Sequence, residues 1–135
     1  MTSVSDFSRI AVVVPCYRVA GQVLGVLAAM PTLVSKIYCV DDACPEGSGA
    51  HISAHCHDPR VVVLRHEHNG GVGAATLSGY RAALADGMRI VIKIDGDGQM
   101  DPGLIPRFVR LLLAGEADYC KGNRFHRPVS LSGMP

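Results

Sequence analysis

Ile10-Ala11-Val12-Val13-Val14 is an unbroken apolar run stopped by Pro15. A strand wetted on one face alternates apolar and polar residues, and this one does not. It suits a parallel strand buried on both faces, which demands a sheet covered by helices. The same punctuation recurs downstream. Lys36-Ile37-Tyr38-Cys39-Val40 ends in Asp41-Asp42, residues 60–64 form a third run, and residues 89–94 form a fourth that ends at Asp95. Segments with helical signals lie between. Residues 19–30 carry Val23, Leu24, Leu27 and Ala28 on one stripe before Pro31. Residues 48–56 make a short helix, and the Ala-rich stretch 71–85 is followed by Gly87 as a stop. Residues 102–114 place Leu104, Ile105, Phe108, Leu111 and Leu112 on one side before Gly115, and residues 117–121 make a short fifth strand. This alternation predicts right-handed βαβ crossovers and an α/β fold. The expected architecture is a single Rossmann-like domain, a mostly parallel sheet with helices on both faces.

A chain of 135 residues, 48% hydrophobic, can bury one real core but hardly two. The expected layout is a tail at 1–8, a domain at 9–125 and an irregular segment at 126–135. The aperiodic ending predicts an N-terminal fragment of a longer protein. Net charge is +1 and Trp is absent, so a basic stripe interleaved with aromatics is missing and nucleic acid is not an expected partner. Five scattered cysteines without a CxxC predict reduced thiols. The polar N-terminus lacks a signal-peptide pattern, and no apolar stretch approaches the ~20 residues that span a bilayer. A cytoplasmic location is expected, and membrane contact only through a region beyond residue 135.

In a parallel sheet the ligand sits outside the C-terminal strand edges. The unusual polar residues fall there: Pro15-Cys16-Tyr17-Arg18, Asp41-Asp42, His68-Asn69-Gly70-Gly71 and Asp95-Gly96-Asp97. In Asp95-Gly96-Asp97-Gly98-Gln99-Met100-Asp101-Pro102 two carboxylates stand one residue apart after a buried strand. Gly96 and Gly98 let the backbone approach a ligand, and Pro102 can open the next helix. Asp95, Asp97 and Gln99 offer oxygen ligands suited to Mg²⁺ or Mn²⁺. The alternative is a plain surface Asp-Gly turn.

Asp41 and Asp42 can accept from ribose hydroxyls or a base N–H, or shape the turn at Pro45-Glu46-Gly47-Ser48. Asp42 is the one expected to face the ligand. Asn69-Gly70-Gly71-Val72-Gly73-Ala74-Ala75 can expose backbone N–H groups to a phosphate or pack a helix tightly on the sheet, and packing is the preferred reading. Arg124 can clamp a phosphate bidentately or stand solvated. His51 and His55, at i and i+4 beside Cys56 and His57, read better as a solvated helix face than as a zinc site. His66 and His68 read as loop residues, and Cys16 as a small buried apolar residue.

Five segments together resemble the family 2 glycosyltransferases of the GT-A fold, and most of all the polyprenyl- and dolichol-phosphate sugar transferases. These are Val13-Val14-Pro15-Cys16-Tyr17, Val40-Asp41-Asp42, the 69–75 segment, Asp95-Gly96-Asp97-Gly98-Gln99 with Asp101-Pro102, and Gly122-Asn123-Arg124-Phe125. The resemblance implies a UDP- or GDP-sugar donor, a divalent metal, inversion at the anomeric carbon, and a lipid-phosphate or saccharide acceptor. It puts Pro15 and Tyr17 at the base and ribose, and Val40, Asp42, Gly71 and Gly96 at the nucleotide. Asp95 falls near ribose and metal, Asp97 and Gln99 on the metal, and Arg124 at the diphosphate or sugar. Asp97 and Arg124 are thereby the expected catalytic residues. Arg18 stands where the family often has Asn, and Ala43-Cys44 where it often has Gly-Ser. A sugar-phosphate nucleotidyltransferase expects a Gly-rich basic loop after the first strand, and Pro15-Cys16-Tyr17-Arg18 is not one. A binding module without transfer activity remains as the non-enzyme alternative.

Overall fold

The computed structural model describes residues 9–113, 119–120 and 125–126. Among these described residues six strands form one sheet: β1 (Ile10–Cys16), β2 (Lys36–Asp41), β3 (Val61–Arg65), β4 (Ile90–Lys93), β5 (Tyr119–Cys120) and β6 (Phe125–His126). The helices are α1 (Val23–Ala28), α2 (Ser48–His55), α3 (Val72–Ala85) and α4 (Ile105–Leu113), the last entered through a 3₁₀ turn at Pro102–Leu104. The strand order is β3-β2-β1-β4-β6-β5. β3, β2, β1 and β4 are mutually parallel, and β6 joins β4 and β5 antiparallel.

β1 is buried along its whole length, as its unbroken apolar run requires. Its side chains alternate between two cores. Ile10, Val12 and Val14 pack with Val23, Val26 and Leu27 of α1, Ile52 of α2, and Ile105 and Val109 of α4. Ala11 and Val13 pack on the other face with Tyr38, Val40 and the α3 residues Ala75, Tyr80 and Ala83. Each such Val or Ile contributes about 1.5–3 kcal/mol by leaving water. The α3 contact is tight because Gly79 has no side chain: a Cβ there would lie 2.3 Å from Val13 Cγ1.

The structure sharpens several boundaries. The segment expected as a helix from residue 19 begins as a turn, with Gln22 and Val23 N–H both on the Val19 carbonyl, and becomes helical only at Val23. α3 stops at Gly87, whose φ of 79° lies in the left-handed region that glycine tolerates. Gly87 N–H then bonds Leu84 O and Met88 N–H bonds Ala83 O, the double bond of a Schellman stop. β6 was not foreseen, since two residues carry no readable period.

Candidate active site

β1 pairs with β2 on one side and β4 on the other, so the chain reverses its direction of travel across the sheet at β1. Loops that leave neighbouring strands in opposite directions open a crevice at that point. A cleft of about 530 Å³ lies there, lined by Pro15 and Cys16 at the end of β1, Tyr17 and Val19 beyond it, Asp42 after β2, and Asp95, Gly96 and Asp97 after β4. Asn69, Gly71, Val72 and Ala75 close it from the start of α3. Tyr17 and Val72 are exposed apolar side chains at this cleft, a surface on which a flat ring can rest.

The two acids after β2 have separate tasks. Asp41 is buried and holds the following turn: Cys44 N–H donates to its Oδ1 at 2.7 Å and Gly49 N–H to its Oδ2 at 2.8 Å. Asp42 turns to the cleft, yet it is also held. Gly70 N–H and His66 Nδ1 reach its Oδ1 at 2.9 and 2.8 Å, and Gly71 N–H reaches its Oδ2 at 2.7 Å. Burial alone would raise its carboxyl. The Gly70 amide, the His66 ring and the Gly71 amide outweigh that and hold it below the usual carboxylate range.

Sequence reading treated His66 as a loop residue. The structure braces it between Asp42 and Ser78 Oγ of α3, 2.8 Å from its Nε2. The Gly70 and Gly71 amides both donate to Asp42, and Gly71 N–H also reaches Asn69 Oδ1 at 3.1 Å, while Ala75 of the same segment packs in the core. The signal for this was present only as an acid after β2 and a His-containing loop after β3, two segments that topology alone brings together.

The loop after β4 is more open. Asp95 and Asp97 both line the cleft, and Lys93 Nζ lies 3.4 Å from Asp95 Oδ1. Asp97 Oδ1 accepts from Gln99 N–H at 3.1 Å, closing a turn that Gly98 enters with φ 83°. Gly96 sits against Val19, Val14 and the Pro15 carbonyl, where a Cβ would be crowded. Gln99 belongs to a shallower depression beside Gln22, Val26 and Asp101, not to the cleft. Val40 is fully buried under α3 and does not line the cleft either. Arg124 lies outside the described residues.

Among the described residues, His, Cys, Asp and Glu form no group of three that could hold a metal. Two carboxylates at a cleft still fit Mg²⁺ or Mn²⁺. Mg²⁺ in particular takes one or two protein carboxylates and fills its shell with phosphate oxygens and water. The His51–His55 pair stacks obliquely at 4.6 Å, and His55 Nδ1 lies 3.0 Å from the His51 carbonyl, an arrangement of a helix face.

Arg18 and Ala43 are the two non-glycine residues with positive φ among those described, at 58° and 56°. Arg18 N–H donates to Cys44 Sγ at 3.0 Å, and Cys44 Sγ is 3.1 Å from Ser48 Oγ. The positions where the family often has Asn and Gly are thus left-handed ones. Here the strain is carried by residues with a full side chain.

The model of the family described as Glycosyl transferase family 2 matches residues 11–134. The chain belongs to this family. Among its relatives, the UDP-N-acetylglucosamine--dolichyl-phosphate N-acetylglucosaminyltransferase of Methanococcus voltae is 33% identical over 76 residues, which cover 56% of this chain and 30% of that protein. The undecaprenyl-phosphate mannosyltransferase of Micrococcus luteus is 29% identical over 119 residues, 86% of this chain and 48% of that one. The chain therefore spans half or less of the length of these relatives. The crystal structure of S. aureus TarS 1-349 in complex with UDP-GlcNAc superposes with a TM-score of 0.65 at 19% identity, covering 82% of this chain and 32% of that one. That likeness establishes the fold. Among the described residues no helix is long and apolar enough to cross a membrane.

Proposed function

We propose that this chain forms the donor-binding part of an inverting, metal-dependent glycosyltransferase that moves a sugar from a nucleotide-diphosphate sugar to a polyprenyl phosphate. The observation that carries the reading is the convergence of Asp42, Asp95 and Asp97 with the apolar surfaces of Tyr17 and Val72 on one cleft. A nucleoside needs a flat apolar bed and a polar reader for its edge. A diphosphate needs charge compensation at the far end. The relatives named for dolichyl and undecaprenyl phosphate support the acceptor, and they are named for different sugars.

The roles divide along the cleft. Tyr17 and Val72 bed the base, and Asp42 reads a donor on its edge. Asp95 and Asp97 would hold Mg²⁺ or Mn²⁺, which supplies Lewis-acid stabilisation of negative charge on the departing diphosphate. Lys93 tempers the charge of Asp95, so the loop does not confront the diphosphate with two uncompensated carboxylates. Arg124 is assigned to the phosphate from sequence. A lipid phosphate is already ionised and attacks the anomeric carbon from the face opposite the leaving group without a general base, whereas a sugar hydroxyl requires one.

Calorimetric titration of the 135-residue chain with UDP and with GDP in the presence of Mn²⁺ tests the binding half. Saturable binding of at least one is expected, and binding of neither contradicts the reading. Transfer is tested with radiolabelled sugar nucleotides and polyprenyl phosphate. A product with retained anomeric configuration contradicts inversion.

A further inference from the structure

An ionised carboxylate has two oxygens and about four acceptor positions. In Asp42, three of them are filled from within the chain. Oδ1 takes both the Gly70 amide and His66 Nδ1, and Oδ2 takes the Gly71 amide. Only Oδ2 has an acceptor position left, on a side chain that is 4% exposed and lines the cleft. His66 is not free to swing away, because its Nε2 is tied to Ser78 on α3. A neutral ring satisfies both contacts at once, donating from Nδ1 to Asp42 and accepting the Ser78 hydroxyl at Nε2.

This saturation decides which base edge the residue can read. Guanine presents a ring N–H and an amino N–H side by side, and a carboxylate matches them with one hydrogen bond to each oxygen. With Oδ1 filled, one of the two guanine donors would be desolvated and left without a partner. Uracil and thymine present a single ring N–H between two carbonyls, which one free position on Oδ2 satisfies. We propose that His66, acting through Asp42, selects a base with a lone imide N–H, uracil or thymine, over guanine. This rests on the donor-cleft reading above and narrows it. His66 is a positioning residue here: it acts on the ligand by occupying Oδ1.

The test is a set of titrations of the 135-residue chain with UDP, dTDP and GDP in Mn²⁺. UDP or dTDP is expected to bind on the order of tenfold or more tightly than GDP, the cost of leaving one donor orphaned. His66→Ala opens the second oxygen, so the preference over GDP is expected to fall several-fold. Ser78→Ala, which loosens the ring without removing it, is expected to move the ratio the same way by less. A merely structural His66 would weaken all three nucleotides together and leave the ratio unchanged, and that result overturns the proposal. GDP binding as tightly as UDP and dTDP to the unaltered chain overturns it without any variant. Binding of none of the three instead contradicts the donor-cleft reading itself.

Discussion

The acids after β2 and the acids after β4 flank the same central strand and are used in opposite ways. Asp41 and Asp42 are buried, and backbone amides of residues 44, 49, 70 and 71 are bonded to their oxygens. Asp95 and Asp97 are reached by solvent, with Lys93 beside one and a single turn amide on the other. The first pair is organised before any ligand arrives. It ties the segment after β3 to the turn after β2 and offers the remaining acceptor position at a set place. The second pair keeps oxygens accessible, as a hard cation that brings its own water and phosphate ligands requires. On the function proposed above, recognition of the nucleoside would be built into the folded chain, while recognition of the diphosphate would wait on a metal.

That contrast is open to direct attack. The largest effect is expected at Asp41. Asp41→Ala removes the acceptor for two amides and should cost about 3–4 kcal/mol of stability by urea unfolding. Gly49→Ala attacks the same clamp without touching the acid, because a Cβ at Gly49 would lie 2.7 Å from Asp41 Oδ2. It is expected to cost about 1–3 kcal/mol. Asp97→Ala should change stability by less than about 0.5 kcal/mol, since it removes one exposed turn bond. A loss comparable to that of Asp41→Ala would erase the distinction between the pairs.

Acid offers a gentler probe. The folded chain holds the Asp42 carboxyl below its ordinary value, so the unfolded chain binds this proton first as pH falls. Its contribution to stability is therefore complete above about pH 3.9 and is lost as pH falls further through the folded value. Unfolding midpoints measured below pH 5 are expected to drop less in Asp42→Asn than in the unaltered chain. The smallest effect belongs to the strained turn between the pairs of loops. Ala43 has φ 56°, and Ala43→Gly is expected to raise stability by about 1 kcal/mol or less, because glycine adopts that region without a Cβ clash.

The sheet was legible because its signals are local and redundant. The residue runs 10–14 and 90–92 are apolar without alternation, and each lies just ahead of a polar cluster that marks the C-terminal edge of the sheet. The first helix was over-extended because its stripe of apolar residues continues through the turn at 20–22, where Gly21 and the Val19 carbonyl bonds set a different geometry. That Asp41 and Asp42 divide between the turn and the cleft was also readable, since neighbours in a strand point to opposite sides, and the structure puts Asp42 at the cleft. What holds that aspartate was not. His66 lies 24 residues from Asp42 and meets it only through the β2–β3 pairing, and Ser78, which holds the other side of the His66 ring, arrives only with the packing of α3. Gln99, close in sequence to Asp95 and Asp97, lines the depression beside the cleft after the turn at Gly98.

The most direct measurement is the affinity of the 135-residue chain for UDP with Mn²⁺ and after chelation, in the unaltered chain and in Asp97→Ala. The unaltered chain is expected to lose at least about tenfold in affinity on chelation. Asp97→Ala should bind UDP weakly under both conditions while keeping the urea midpoint of the parent. Equal affinity with and without Mn²⁺, or an Asp97→Ala variant that retains the metal-dependent gain, would contradict the assignment of the loop after β4 to the metal and diphosphate.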